Sequence, residues 1–188
     1  MFLSCGETAE IEFYAEDEMS EFDVDKAKAT GRYLDIISLD EFGRFDPTDL
    51  LKDPALRLSE DFIRYVFPLA KPIEFAGPLK LAKFYSGEAG DTEILPRLQS
   101  ASEHPFFEET QVCRIALQMG RAQSNGQEGP LETDRVYRFY LAKLEKVVWM
   151  EWREANNLSS HSAYWFLRIS HFGVHRYMNG DIFFCPAD

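Results

Sequence analysis

The segment 133–155, TDRVYRFYLAKLEKVVWMEWREA, decides how this chain is expected to fold. It lacks glycine and proline, and apolar side chains recur at three- and four-residue steps from Tyr137 through Leu144 to Trp152. This spacing predicts an amphipathic helix of roughly 35 Å, long enough to cross a whole domain. Residues 147–149 (Val-Val-Trp) are typical of a strand, so a helix that ends before them is the alternative.

Shorter elements are predicted on either side of this segment. Ser59 suits a helix N-cap and is followed by acidic residues that complement the helix dipole, so a helix is predicted from there to Pro68. Pro105 opens a helix over 105–119. Asn179-Gly180 is the strongest hairpin turn, joining 174–177 to 182–184. The remaining predictions are strands over 10–15, 32–38 and 79–85, short helices over 26–30 and 46–49, and a buried helix or strand over 164–169.

The order of these elements predicts the fold class. Helices and strands are mixed without regular alternation, which favours an α+β fold over a doubly wound sheet. We expect a mostly antiparallel sheet packed against several helices, including the long one near 133–155. The length of 188 residues suits a single domain over 1–188. The apolar stripes predict a core that includes Phe62, Val66, Leu117, Leu141, Leu144 and Phe166.

Charge and cysteine content restrict the classes of partner and compartment. The net charge of −12 disfavours nucleic acid and anionic membranes, and the 20 Lys and Arg are scattered along the sequence without a local basic patch. No uncharged apolar run approaches the ~20 residues of a membrane helix. Cys5, Cys113 and Cys185 have no metal-site spacing and leave one cysteine unpaired, which fits a reducing compartment. We therefore expect a cytoplasmic protein; a Cys5–Cys185 bond is the alternative.

The search for catalytic chemistry finds few candidates. The sequence patterns of nucleotide-binding loops, zinc proteases and serine hydrolases do not occur. His161, His171 and His175 are close in sequence, but zinc would need a further ligand that no spacing marks. Cys113 lies on an apolar helix stripe, which favours burial over nucleophilic reactivity. We therefore predict no metal and no cofactor, and a protein that is more readily a binder than an enzyme.

The sharpest feature is an uneven distribution of charge. Residues 1–25 carry nine acidic side chains and no Lys or Arg, whereas the remainder is nearly balanced. This predicts a non-catalytic protein that binds a basic protein partner, and inhibits it in the manner of an immunity protein or inhibitor. The predicted partner-binding residues are Glu12, Glu16, Asp17, Glu18, Glu21, Asp23 and Asp25.

Three alternatives stay open. The acidic run can serve solubility alone. The 16 Phe, 8 Tyr and 3 Trp can line the pocket of a small enzyme or ligand-binding domain, with His161, His171 and Arg168 as its polar groups. The same aromatic residues can form the interface of a homo-oligomeric structural subunit.

Overall fold

A seven-stranded mixed sheet organises the computed structural model, which describes residues 22–30, 32–87, 90–127, 129, 131–141, 143–154, 163–173 and 180–187. The strands are β1 (Tyr33–Leu39), β2 (Leu56–Leu58), β3 (Leu79–Tyr85), β4 (Val136–Leu141), β5 (Lys146–Arg153), β6 (Tyr164–His171) and β7 (Ile182–Pro186). Their order across the sheet is β1-β3-β7-β4-β5-β6-β2. Four neighbouring pairs are antiparallel, whereas β4–β7 and β2–β6 are parallel.

Helices cover both faces of this sheet. They are α1 (Val24–Ala29), α2 (Thr48–Lys52), α3 (Glu60–Tyr65), α4 (Asp91–Ala101) and α5 (Glu109–Ala122), with a 3₁₀ turn at Phe67–Leu69. Apolar side chains of α2, α3 and α5 pack on one face, here called the α5 face, and those of α1 and α4 pack on the other, here called the α4 face. The predicted α+β class, with a mostly antiparallel sheet and several helices, is confirmed. That residues 1–188 form a single domain stays a prediction.

The long helix predicted over 133–155 is wrong. The segment forms the antiparallel strands β4 and β5, joined by a turn in which Glu145 has a φ of 48°. Helices cover both faces of β4 and of the first half of β5, so nearly every side chain of β4 is buried and the usual polar–apolar alternation is lost. The apparent helical stripe mixes the two faces, because Tyr137 packs on the α5 face and Tyr140 on the α4 face.

Most of the shorter predictions agree with the structure. Strands β1 and β3 lie where they were predicted, and the segment left open between helix and strand is β6. Helices α1 and α2 overlap the predicted ranges 26–30 and 46–49 but begin two residues earlier and two residues later, respectively. The Oγ of Ser59 accepts a hydrogen bond of 3.2 Å from the Phe62 amide, as expected of an N-cap. The helix predicted over 105–119 begins later, at Glu109, and α4 was not predicted. The strand predicted over 10–15 and the hairpin arm over 174–177, with Asn179, lie outside the described residues.

The α5 face holds the larger core. Phe62, Val66, Leu117 and Leu141 are buried there, as predicted. Leu144 is only partly buried because it lies in the β4–β5 turn, so its assignment to the core was wrong. Phe166 is also half-buried, on the α4 face, and belongs to neither buried cluster.

The difference between Leu141 and Leu144 gives a test of the hairpin. Leu141→Ala is expected to lower the free energy of unfolding by about 2–5 kcal/mol, since Leu141 is fully buried. Leu144→Ala is expected to cost about 1 kcal/mol or less, since a half-exposed side chain loses little buried area. Urea unfolding of the two variants measures both values. Equal losses at the two positions would support the helix instead.

The described helices do not include a membrane-spanning one. The longest among them, α5, has 14 residues and buries charged as well as apolar side chains.

Candidate functional site

Two of the seven predicted partner-binding residues are described, and both belong to the start of α1. Asp23 is the N-cap of this helix and Asp25 lies in its first turn. The other five, Glu12, Glu16, Asp17, Glu18 and Glu21, lie outside the described residues.

The carboxylates of Asp23 and Asp25 differ in their surroundings. Asp23 accepts a hydrogen bond of 2.9 Å from the Lys26 amide, and the Lys26 ammonium lies 3.3 Å away. The amide of Lys26, with its ammonium, lowers the pKa of Asp23 below its usual value. The Asp25 side chain is 98% exposed and lies 4.0 Å from the Lys28 ammonium. Asp23 therefore caps the helix, while Asp25 is exposed to solvent.

His171 is the one candidate histidine that is described. It lies at the end of β6, opposite Lys146 of β5, and its Nε2 is 2.9 Å from the Lys146 ammonium. That ammonium is largely buried and lies 5.1 Å from the centre of the Tyr65 ring. In this arrangement the imidazole accepts a hydrogen bond from the lysine and helps to satisfy a buried charge.

The predicted set of His161, His171 and Arg168 is not brought together in the described part of the chain. Arg168 and His171 are three residues apart on β6, so their side chains leave the strand on opposite faces. His161 and His175 lie outside the described residues. Within the described ranges, no three His, Cys, Asp or Glu side chains are grouped as metal ligands would be.

The two described cysteines are buried thiols. Cys113 and Cys185 are both free thiols. The alternative of a Cys5–Cys185 disulfide is therefore wrong in this structure. Burial raises the pKa of each to about 12, and at Cys113 the nearby Glu109 adds to the effect. Both therefore stay protonated at neutral pH, which is unsuitable for a nucleophile and agrees with the predicted burial of Cys113.

A surface that the sequence did not reveal lies on the α4 face of β4, β5, β6 and β2. We call it the arginine–aromatic face. Strand register places Arg138, Trp149 and Arg168 side by side on three adjacent strands, and Arg57 of β2 opposite Phe166. The face consists of Arg57, Arg138, Arg153 and Arg168, the rings of Trp149, Tyr164 and Phe166, and the carboxylate of Glu151.

Guanidinium groups stack on rings throughout this face. The Cζ of Arg138 is 3.7 Å from the centre of the Trp149 ring, and that of Arg168 is 4.0 Å from it. Arg153 lies 3.9 Å from the centre of the Phe166 ring. Such stacking leaves the edge of a guanidinium available to a carboxylate, and in Arg153 that edge is taken by Glu151, whose Oε1 accepts from both Nε and Nη2.

The face carries more positive than negative charge. Arg138 is neutralised by Asp181, 2.5 Å away, in a pair that is almost completely buried. Glu151 is shared by Arg153 at 2.6 Å and Arg168 at 3.6 Å. Arg57 and Arg153 are exposed and Arg168 is half-buried. Among the described residues of this face, three accessible guanidinium groups thus lie near one carboxylate, which contacts two of them, on a chain whose net charge is −12.

The expectation of no local basic patch is corrected by this face. Arg57, Arg138, Arg153 and Arg168 are at least 15 residues apart in sequence, so no short window contains two of them. Pairing of the strands brings them together. The alternation in residues 164–168, where Tyr164, Phe166 and Arg168 share a side, was the signal, but only once this segment was known to be a strand.

The described helices cover only part of the α4 face. The buried cluster there joins α1 and α4 to β3, β7, β4 and the first half of β5. Tyr164 and Phe166 belong to neither buried cluster and are half-exposed. The part of the face on β6, β2 and the end of β5 is therefore accessible in the described structure.

Comparison of the chain with models of known protein families, with curated proteins and with solved structures finds no match.

Proposed function

We propose that this protein binds a basic protein partner through its acidic N-terminal segment and catalyses no reaction. The observation that carries the proposal is the charge distribution: nine acidic residues and no base in residues 1–25, followed by a nearly balanced remainder. Close like charges repel one another and destabilise a free protein, and a basic surface relieves that repulsion on binding. Binding inhibits the partner when the basic surface that is covered contains the partner's active site or its binding site.

The described end of the acidic segment supports this proposal. Ala27 of α1 is fully buried and the helix packs beside α4, so α1 is a firmly held element. Asp25 projects from it into solvent. Charges held on such an element steer an oppositely charged partner during its approach. Membership of the immunity or inhibitor class and a cytoplasmic location belong to the same proposal.

The alternative of an aromatic-lined pocket finds only a small hollow among the described residues, of about 290 Å³ and lined by Arg32, Tyr33, Leu34 and Tyr85. The hollow of about 500 Å³ beside the end of α5 is lined by Gly126, Gln127, Gly129 and residues 131–134, and none of them is aromatic.

A homo-oligomer is the second candidate because one observation favours it. Four apolar side chains, Ile63 and Tyr65 of α3, Leu69 of the 3₁₀ turn and Phe75 in the segment before β3, are each 41–64% exposed. Apolar side chains close in sequence and accessible to solvent are typical of an interface. Measurement of the mass in solution by light scattering decides whether two copies associate.

The partner proposal predicts salt-dependent association. A pull-down from native lysate supplies the basic protein that is recovered in one-to-one amount. Replacing Glu16, Asp17, Glu18 and Glu21 with Gln or Asn is expected to slow its association about 10-fold or more at low salt, since electrostatic steering raises association rates by 10–10³. The wild-type rate should fall between 0.1 M and 1 M salt as the Debye length drops from ~10 to ~3 Å. Stopped-flow mixing measures both rates.

A matched variant controls for net charge. Glu41, Asp61, Glu74 and Glu154 are exposed on other elements, and their replacement removes the same four charges. This control should associate at close to the wild-type rate. Equal rates for the two quadruple variants, or no effect of salt on the wild type, would reduce the acidic segment to a solubility feature.

A further inference from the structure

The arginine–aromatic face has the chemistry of a carboxylate-binding surface. Arg57, Arg153 and Arg168 present accessible guanidinium groups, and among the described residues of the face Glu151 is paired with Arg153 and Arg168. Arg153 and Arg168 lie against ring faces at 3.9 and 4.0 Å, which restrains their side chains, so less side-chain entropy is lost when a carboxylate binds. An acidic occupant would therefore gain charge-assisted hydrogen bonds, and the aromatic rings would accommodate its apolar side chains.

We propose that this face binds the carboxylates of residues 7–16 of the same chain. The inference deepens the proposed function and rests on it, since it concerns part of the same acidic segment. The charges are complementary: Glu7, Glu10, Glu12 and Glu16 lie in a stretch without a basic residue. Ile11 and Phe13 alternate with these acids and offer apolar contacts to the rings.

The attachment point of the segment lies on the correct face of the sheet. Phe22, where the described chain begins, is buried on the α4 face against Tyr33 and Phe84, with ring centres 6.3 and 6.2 Å away. Register places Phe84 in the same row of the sheet as Arg168, with β7, β4 and β5 between their strands. Four strand spacings of about 4.8 Å give a distance of roughly 19 Å across the sheet.

This distance selects which acids reach the face. A chain spans at most about 3.5 Å per residue, so Glu16 is within about 21 Å of Phe22 and Glu12 within about 35 Å. Residues 7–16 therefore reach β6, whereas Glu21 and Asp25 are held close to Phe22. The proposal therefore assigns the contact with the face to acidic residues before residue 17 and not to those beside α1.

A tethered occupant is favoured over a separate molecule. A linked segment is present at an effective concentration in the millimolar range. A separate acidic molecule would in addition be repelled by the net charge of −12 as it approached the protein. A polynucleotide would meet that repulsion in full. A basic partner, in contrast, competes with the face for the same carboxylates. Partner binding then exposes Arg153 and Arg168, and the affinity for the partner is lowered by the strength of the internal contact.

Paramagnetic broadening in the full chain tests the contact. A nitroxide is attached through an Ala9→Cys substitution combined with Cys5→Ser; Cys113 and Cys185 are fully buried and stay unlabelled. At low salt, we expect the amide signals of Arg153, Phe166 and Arg168 to be broadened. Broadening should be lost in 1 M salt and in the Arg153→Gln/Arg168→Gln variant. The Arg44→Gln/Arg64→Gln variant, which removes two exposed charges elsewhere, should retain it.

A second pair of variants tests the reach argument. Glu10→Gln/Glu12→Gln should lose most of the broadening, whereas Glu21→Gln/Asp25→Asn, which removes the same charge beside α1, should keep it. Absence of broadening at low salt, or equal loss in both variants, overturns the proposal. Broadening that appears only between a labelled copy and an isotope-labelled, spin-free copy would identify a second chain as the occupant and overturn it as well.

The broadening experiment and the stopped-flow association experiment can fail independently of each other. Salt-dependent association with a basic partner, measured by stopped flow, together with no internal broadening, removes the internal contact and leaves partner binding intact. Internal broadening without association with a basic protein removes the partner and leaves the contact on the arginine–aromatic face.

Discussion

Asp181→Ala is expected to lower the free energy of unfolding by about 3–5 kcal/mol, because it leaves the charge of Arg138 buried without its carboxylate. The two side chains are 4% and 6% exposed, and Nε and Nη2 of Arg138 both donate to one oxygen of Asp181. Burial lowers the pKa of Arg138, but an arginine remains charged at any ordinary pH. Arg138 therefore cannot reduce the loss of stability in Asp181→Ala by releasing a proton.

An exposed pair gives the matched control. Asp134 lies 3.6 Å from Arg135 and its side chain is 75% exposed. Asp134→Ala is expected to cost less than about 1 kcal/mol, as is usual for surface ion pairs. Urea unfolding of both variants measures the difference.

A double replacement separates the pair from its surroundings. Asp181→Leu combined with Arg138→Met fills the site with apolar groups and should recover much of the stability that Asp181→Ala loses. If Asp181→Ala costs no more than Asp134→Ala, water reaches Arg138 and the burial of this pair is wrong.

The sequence predicted the local elements better than the long one. Ser59 marked its helix correctly because an N-cap acts through hydrogen bonds within one turn. The prediction for the segment 133–155 failed because β4 and the first half of β5 are buried on both faces, so this aromatic-rich hairpin has no alternation that distinguishes it from a helix. Helix α4 was missed for a related reason: Pro96 lies inside it and argues against a helix that tertiary packing nevertheless supports.

The candidate site was predictable only in part. The acidic segment is continuous in sequence, so its charge is evident without a structure. The arginine–aromatic face depends on register, because Arg57, Arg138 and Arg168 belong to β2, β4 and β6, and the order of neighbouring strands, β4-β5-β6-β2, does not follow the chain. No local pattern encodes which strands become neighbours, since pairing is decided by the packing of the whole sheet.

Trp165→Ala is expected to cost about 3–5 kcal/mol, the usual loss for a buried tryptophan. Trp165 is fully buried on the α5 face of β6, with its ring centre 5.2 Å from that of Trp152 and 6.4 Å from that of Tyr137. Its backbone amide donates to the carbonyl of Ala55, at the start of β2. This backbone bond remains in the alanine variant, but the cavity left beneath it would loosen β6 and the neighbouring β2.

A conservative replacement resolves the polar part of this loss. The indole N–H of Trp165 donates to the backbone carbonyl of Gln123 at 3.0 Å. The buried side-chain amide of Gln123 in turn accepts from the backbone N–H of Leu131 at 2.7 Å and donates to the backbone carbonyl of Leu131 at 2.8 Å. Trp165→Phe should cost about 1–3 kcal/mol through the unpaired carbonyl, and the Leu131 amide should exchange its hydrogen faster.

The effect of Trp165→Ala should reach the arginine–aromatic face. Tyr164 and Phe166 flank Trp165 on β6 and project to the opposite side of the sheet, where they support Arg57 and Arg153. Loosening β6 should therefore weaken both stacks, and amide exchange across 164–168 should rise together with that of Leu131. If Trp165→Ala accelerates exchange at Leu131 alone, the two sides of β6 respond independently. The arginine–aromatic face would then not depend on the core beneath it.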